Sequence, residues 1–532
     1  MNCRWITGFI AGAALFTFGN AFHFAPPGDG HPFRVSPATM PRVGSIDERF
    51  QSYNIEMVEV TGGRFWKPYA NKTEATSTTM QSSANQPAGM DPNLYEYRPP
   101  IDLNNTRLRK LAAALAPAYV RVSGTWANST YFQNNDDPAL PTAPEGFRGV
   151  LTRKQWKGVV DFSHAANAEI VTSFAISAGV RDAAGVWTSN QAEQLLAYTR
   201  FVGGRISAAE YFNEPNIAEM GGAPRGYDAA AYGRDIAVFR AFAKKTAPDM
   251  VFVGPGSAGE GTLMVPESMH TLSSVDLLNA TGPVFDAISY HSYGGVSSRC
   301  SQFGATATTT SAAALSDEWL ALSEKIEAFY GSIRDRFEPG KPLWLTETAQ
   351  AACGGDRWAS TFLDSFRYLN QLGILARRGV QVHMHNTLAA SDYGLLDEKT
   401  YEPRPNYWAA LLWRKLMGTT VLDPGSSSTP GIRVYAQCLR NHSGGVSLLI
   451  INTDRNASQT FRVPTVSQRF TLSAHDLMDQ RVQLNGSDLR LGTDDALPDM
   501  KGAPTPAGDL IFAPASITFV ALADANNASC RQ

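Results

Sequence analysis

Between residues 45 and 417, runs rich in β-branched and aromatic residues alternate with amphipathic helical stretches, and the alternation repeats eight times. The strand-like runs fall at 52–60, 119–123, 169–176, 209–213, 251–253, 285–290, 343–346 and 380–385. Helical patterns separate them, among them 104–116, 154–168, 191–202, 227–246, 319–337 and 358–378, and 405–417 closes the series. Eight strand-helix units are the count of a closed (β/α)8 barrel. From 418 the period changes to short strand-like runs at 432–439, 446–452, 460–463, 469–473, 481–484 and 517–522, parted by turn residues. That pattern predicts an appended β-sandwich. The expected fold is α/β: a TIM barrel over 45–417 and a β-sandwich over 418–532, with the lead 22–44 lending the sandwich a strand.

The 532 residues exceed what one compact domain usually holds, in keeping with two domains. Arg4, an apolar run over 6–18 and Gly19-Asn20-Ala21 have the layout of a secretory signal peptide, placed at 1–21. The run is too short to span a bilayer comfortably and no other stretch reaches spanning length, so no stable membrane anchor is expected. Removing it takes Cys3 and leaves Cys300, Cys353, Cys438 and Cys530, an even set with three possible connectivities. Sequons at Asn71, Asn104, Asn128, Asn279, Asn441, Asn456, Asn485 and Asn527 fit an exported surface. A net charge of -3 supplies no basic field. With no zinc spacing, Walker loop or recognition helix, a nucleic-acid partner is not expected.

Two glutamates carry the chemistry. Glu214, in Asn213-Glu214-Pro215-Asn216, follows the fourth strand, and Glu347, in Trp344-Leu345-Thr346-Glu347-Thr348, ends the seventh. Alone, each has an ordinary reading, as a turn before proline or a helix-capping carboxylate. At the carboxyl ends of two barrel strands they converge on one site, where barrel enzymes build their chemistry. One protonated and one ionised carboxyl group suit glycoside hydrolysis: the first gives a proton to the leaving oxygen, the second meets the anomeric carbon.

Several segments carry a resemblance: Leu115-Ala116-Pro117-Ala118-Tyr119-Val120-Arg121, the two glutamate motifs, Asp392-Tyr393-Gly394-Leu395-Leu396-Asp397-Glu398, Pro405-Asn406-Tyr407-Trp408 and Val482-Gln483-Leu484-Asn485-Gly486. In these the chain resembles the heparanase and β-glucuronidase family, glycoside hydrolase family 79, from about Ser45 to its C-terminus. The resemblance implies a retaining β-glucuronidase with Glu214 as acid/base and Glu347 as nucleophile, working through a covalent glucuronyl-enzyme. It implies that Asn213 binds the sugar 2-hydroxyl and that Tyr293, in His291-Ser292-Tyr293, hydrogen-bonds the nucleophile. Gly354, Gly355 and Tyr393 take the positions that hold the glucuronate carboxylate, and Glu56 and Thr125 those that bind sugar hydroxyls. No metal or organic cofactor is implied, and the expected partner is a glucuronic-acid-containing glycoside or polysaccharide.

Two departures matter. The basic stretch that animal heparanases carry after strand five is Gly259-Glu260-Gly261-Thr262-Leu263-Met264 here, which weakens heparan sulfate as the expected substrate. Arg299, after strand six, is left as a candidate for meeting an acidic group. Cys353 stands where the family often has glycine. Cys438 and Cys530 resemble the family's sandwich disulfide; Cys300 and Cys353 then remain, on neighbouring loops after strands six and seven, and are expected to form a bridge that braces the Gly354-Gly355 turn. The rival readings are a related glycosidase of a neutral sugar and a non-catalytic carbohydrate-binding barrel. Exo and endo cleavage both stay open, because loop shape decides between them.

Overall fold

The computed structural model describes residues 33–69, 91–261, 271–303, 310–425 and 430–531. The expected signal peptide, Asn71 and residues 262–264 lie outside these. Eight parallel strands, β1 (Gln51–Glu56), β2 (Ala118–Ser123), β3 (Ala168–Thr172), β4 (Ile206–Ala209), β5 (Val251–Ala258), β6 (Ala287–Tyr293), β7 (Leu343–Ala349) and β8 (Val382–His385), close in sequence order, with β8 pairing β1. A helix follows each strand: α1 (Thr106–Ala114), α2 (Arg153–Ala165), α3 (Asn190–Phe201), α4 (Ala229–Thr246), α5 (Ser274–Thr281), α6 (Leu322–Phe337), α7 (Phe362–Arg377) and α8 (Pro405–Leu416). Several of the helices start where the sequence supplies caps. Thr152 and Gln155 form a capping box on α2, and Asp228 accepts from the Ala231 N–H at the head of α4.

Side chains alternate along each strand. Leu345 and Val120 face the helix layer, with Trp156, Phe239 and Leu369. Tyr119, Val171, Ala208, Val253, Ala287, Trp344, Val382 and Met384 point inward and fill the floor of the barrel. Among the described residues, no helix is long and apolar enough to cross a membrane.

Several element bounds differ from the sequence reading. The first strand stops at Glu56, and Met57–Thr61 is helical despite its β-branched run, because the Glu59 carboxylate accepts from the Glu56 N–H at 2.8 Å and caps a new turn. The fourth strand is Ile206–Ala209, so Glu210 to Asn213 form a bend rather than a strand. The third ends at Thr172, short of 176. The sixth and seventh run on to Tyr293 and Ala349, which places His291, Tyr293 and Glu347 within strands rather than after them.

The longer C-terminal strands are β9 (Met417–Leu422), β10 (Ile432–Leu439), β11 (Val446–Asn452), β12 (Gln459–Val463), β13 (Ser467–Ser473), β14 (Gly508–Phe512) and β15 (Ser516–Leu522). Strands β9 and β14 are absent from the sequence reading. Arg42–Ser45 of the lead pairs with β9 at the edge of the large antiparallel sheet, and Phe33–Arg34 pairs with β12 in the small one. The large sheet is apolar on both faces: Val446, Leu448 and Ile450 meet Phe461 and Phe512 of the small sheet, whereas Leu449 and Ile451 belong to the barrel's helix-packed core. Helix α7 comes close enough that a side chain at Gly373 would meet the Tyr435 ring at 2.3 Å. Of the sequons, Asn128 and Asn527 are buried, their carboxamides tying backbone segments together, so neither presents a surface acceptor.

Candidate active site

An arginine in the middle of an apolar parallel strand organises the barrel mouth. Arg121 of β2, 1% exposed, donates to Glu347 Oε2 at 2.8 Å, to Glu210 Oε2 at 2.8 Å and to Asn213 Oδ1 at 2.7 Å. Ser289 and Thr346 complete the partners of Glu210, donating to Oε1 at 2.9 and 2.7 Å. Burial would raise the Glu210 carboxyl, but the Arg121 guanidinium, with help from His291 and Thr346, outweighs it and holds the group ionised well below the usual range. Three charged side chains are thus sealed in by mutual pairing.

Glu347 reaches this layer through a bulge. The register of β6 on β7 shifts between Tyr290–Leu345 and His291–Glu347, so Thr346 and Glu347, neighbours in sequence, both find partners inside the barrel. Its second oxygen accepts from Tyr293 at 2.5 Å, and Asn386 donates to that tyrosine's hydroxyl at 3.1 Å. Burial, with the Glu347 charge beside it, pushes the Tyr293 phenol well up, so it stays a donor.

Glu214 sits at φ 53° and ψ 61°, a left-handed conformation that is rare outside glycine. Pro215 disfavours the right-handed helical region for the residue before it, and the Asn213 backbone is clamped by Asn128, which accepts from its N–H at 2.9 Å and donates to its carbonyl at 3.0 Å. The local strain turns the Glu214 side chain toward His291, whose Nδ1 lies 3.1 Å from Oε1. Burial would depress the His291 imidazole; Glu347, Glu210 and Glu214 around it prevail and raise it to about 9. One oxygen of Glu214, one of Glu347 and a ring nitrogen of His291 all lie within 4.8 Å of one another. Three such atoms have a cation-binding spacing, but both Glu347 oxygens are taken by Tyr293 and Arg121, and Arg121 and His291 supply the positive charge. The cluster suits two carboxyl groups acting on a substrate bond.

Around this centre stand the other residues singled out in the sequence. Glu56 is buried, and its Oε2 has no hydrogen-bond partner among the described residues. It lies over Gly124 (φ 92°), where a Cβ would come within 1.6 Å of it. Burial and the nearby Glu347 charge push its carboxyl well up. Thr125 follows Gly124, half-buried, on the turn after β2. Gly354 and Gly355, both at φ 82°, present backbone N–H groups that donate to no other described residue. A Cβ at Gly354 would meet Trp66 at 2.6 Å and one at Gly355 would meet Ala359 at 2.9 Å, which leaves no room for side chains. The Tyr393 hydroxyl accepts from Asn386 at 3.3 Å. Cys300 is bonded to Cys353, directly before the glycine pair, and Cys438 to Cys530. Arg299 does not stand free for an acidic ligand: it donates to Asp392 Oδ2 at 2.6 Å and to the Gly355 carbonyl at 3.3 Å.

Four residues of this mouth have no role in the sequence reading. Arg121 lies in a quoted motif, and a charge amid Tyr119, Val120 and Val122 was its signal. Glu210 was hidden as the start of a supposed strand, Asn128 as a sequon, and Asn386 has no local signature.

Fold and site together define a glycoside hydrolase of the barrel type. Residues 99–373, over half of the chain, match the glycosyl hydrolase family 79 N-terminal domain, and the chain belongs to that family. Heparanase from Mus musculus is 28% identical over 496 residues, covering 80% of this chain and 88% of its own length. Hyaluronoglucuronidase from Hirudo nipponia is 25% identical over 485 residues, covering 81% of this chain and 92% of its own. Among solved structures, a 4-O-α-L-rhamnosyl-β-D-glucuronidase from Fusarium oxysporum has the same fold, with a TM-score of 0.61, 14% identity and coverage of 92% of this chain and 100% of that one.

Proposed function

We propose that this chain hydrolyses β-D-glucuronides with retention of configuration, Glu347 acting as nucleophile and Glu214 as acid/base. The observation that carries the reading is the closeness of the two carboxylates, with oxygens within 4.8 Å. Retaining enzymes hold their carboxyl groups about 5–5.5 Å apart, whereas inverting ones leave about 6.5–9.5 Å for a water. The names of the relatives, heparanase, hyaluronoglucuronidase and a glucuronidase, support glucuronic acid as the sugar.

In this reading Glu214 gives its proton to the leaving oxygen while Glu347 bonds to the anomeric carbon. Water, deprotonated by Glu214, then displaces Glu347. Arg121 and Tyr293 hold the Glu347 carboxylate in place by hydrogen bonds, and His291 exchanges a proton with Glu214 across 3.1 Å. Asn213, its carbonyl oxygen fixed by Arg121, keeps its amide N–H groups for the sugar 2-hydroxyl. The glucuronate carboxylate lies on the Gly354 and Gly355 N–H groups and the Tyr393 hydroxyl, fixed donors that add no charge. Glu56 and Thr125 serve the remaining hydroxyls. The two disulfides fit export through an oxidising compartment after loss of the signal peptide.

The test is hydrolysis of an aryl β-D-glucuronide, with the anomer of the first product followed by NMR. Glu347→Ala is expected to lower kcat by about 10^4-fold or more and Glu214→Ala by about 10^2- to 10^4-fold. A first product of inverted configuration, or turnover confined to neutral glycosides, would overturn the reading.

A further inference from the structure

We propose that Asn386 is the positioning residue that makes this site choose a carboxylate over a hydroxymethyl group on C5 of the sugar, by fixing where the Tyr393 phenol points its proton. The inference rests on the glucuronidase reading and deepens it, from which groups meet the carboxylate to what compels them to donate.

Asn386 directly follows β8 and is buried. Its backbone N–H donates to the Thr348 carbonyl of β7 at 2.8 Å, which ties it to the strand that carries Glu347. Its side-chain nitrogen lies between two phenols and donates to both, to the Tyr293 oxygen at 3.1 Å and to the Tyr393 oxygen at 3.3 Å. The Glu56 carboxyl beside this amide also favours its N–H side, which decides the end of the amide that faces the phenols. The two tyrosine rings pack in one small cluster with Ala349 and Ala359. Tyr393 is gripped from its backbone as well, since His385 Nε2 donates to its carbonyl at 2.7 Å.

A phenol has one proton. An oxygen that accepts from Asn386 sends its own proton to a different acceptor. For Tyr293 that acceptor is Glu347 Oε1, at 2.5 Å. The Tyr393 hydroxyl has no such acceptor among the described residues, and burial, with Glu56 and Glu347 nearby, keeps it protonated. Its proton is therefore left for the substrate. One amide thus aims one phenol at the nucleophile and the other at the sugar.

With the Gly354 and Gly355 N–H groups, the residues read as meeting the C5 substituent then offer donors alone. A carboxylate accepts from all of them and brings no proton of its own. A hydroxymethyl group has to place its hydrogen among donors, which leaves a buried polar group unpaired.

The test is a double-mutant cycle on Asn386 and Tyr393, read as the ratio of kcat/KM for an aryl β-D-glucuronide to that for the matching β-D-glucoside. Effects that reach Glu347 through Tyr293 strike both sugars and cancel in the ratio. Asn386→Asp replaces the donor by an acceptor that draws the Tyr393 proton inward, and is expected to lower the ratio about 10- to 100-fold. Asn386→Leu, neutral and of similar size, removes the donor without drawing the proton and is expected to lower it about threefold. In a Tyr393→Phe background neither change is expected to lower the ratio further. Should Asn386→Asp fail to fold, Asn386→Leu carries the cycle alone. A ratio that folded variants leave unchanged overturns the inference. So does an equal loss with and without the Tyr393 hydroxyl, which assigns the effect to charge or packing instead. A folded wild type that cleaves no glucuronide overturns the underlying reading.

Discussion

At the floor of the barrel, Tyr119, Ala287 and Trp344 fill the interior with apolar groups; two residues further along the same strands, Arg121, Ser289 and Thr346 make the interior polar. Strand alternation produces both layers, and both are fully buried. They differ in what holds them. The floor is held by contacts that any well-fitting apolar side chain could make, whereas the mouth is held by charges that are tolerable only as a set. A large site energy therefore sits at the candidate active site, and the floor can vary without changing it.

The largest expected difference comes from removing the central cation. Arg121→Met leaves Glu210 and Glu347 buried without their cationic partner and is expected to cost about 3–5 kcal/mol in denaturant unfolding, with turnover lost as well. A variant as stable as the wild type would put mouth and floor on the same footing. Next is pH. The folded His291 imidazole is raised from 6.5 to about 9, so the stability it contributes is full below about pH 6.5 and drains away as pH rises through about 9. Compared with His291→Gln, the wild type is expected to lose an advantage on the order of 3 kcal/mol across that window. An advantage that is flat with pH would refute the charged histidine.

The floor should behave otherwise. Val253→Ala is expected to cost about 2 kcal/mol, equally at both ends of the same pH window, with kcat/KM kept within about twofold. The smallest expected effect concerns the rim. Losing the Cys300–Cys353 bridge by Cys300→Ser and Cys353→Ser is expected to raise KM for an aryl glucuronide about fivefold through a looser Gly354-Gly355 turn, with little change in kcat. The matching pair, Cys438→Ser and Cys530→Ser in the sandwich, should alter stability and leave KM alone.

Much of this was legible in the chain. Eight apolar runs of strand length, each followed by a helical pattern, announce the barrel because periodicity is a local property. Glu214 and Glu347 stand out because each sits at a fixed offset from such a run. The misreadings have local causes too. Met57–Thr61 has strand-like residues but takes a helical turn capped by Glu59, and Glu210 to Asn213 look extended until Asn128, from another loop, fixes their bend. Strands β9 and β14 escaped notice because Gly418, Thr419 and Asp509 dilute their pattern; pairing with β10 and β12 makes them strands.

The order of the elements, the fold class and the identity of the two glutamates are thus written in the sequence, since each depends on residues a few positions apart. The tertiary structure alone decides that Arg121, Glu210, Glu347 and His291 share one buried charge set, that a bulge at Thr346 turns Glu347 inward, and that Arg299 is neutralised while Arg357 is left with a tyrosine ring for a neighbour. These are contacts between side chains far apart in the sequence, 226 positions for Arg121 and Glu347. Their energies depend on burial and on distances of a few ångströms, and a linear sequence specifies neither until the barrel has closed.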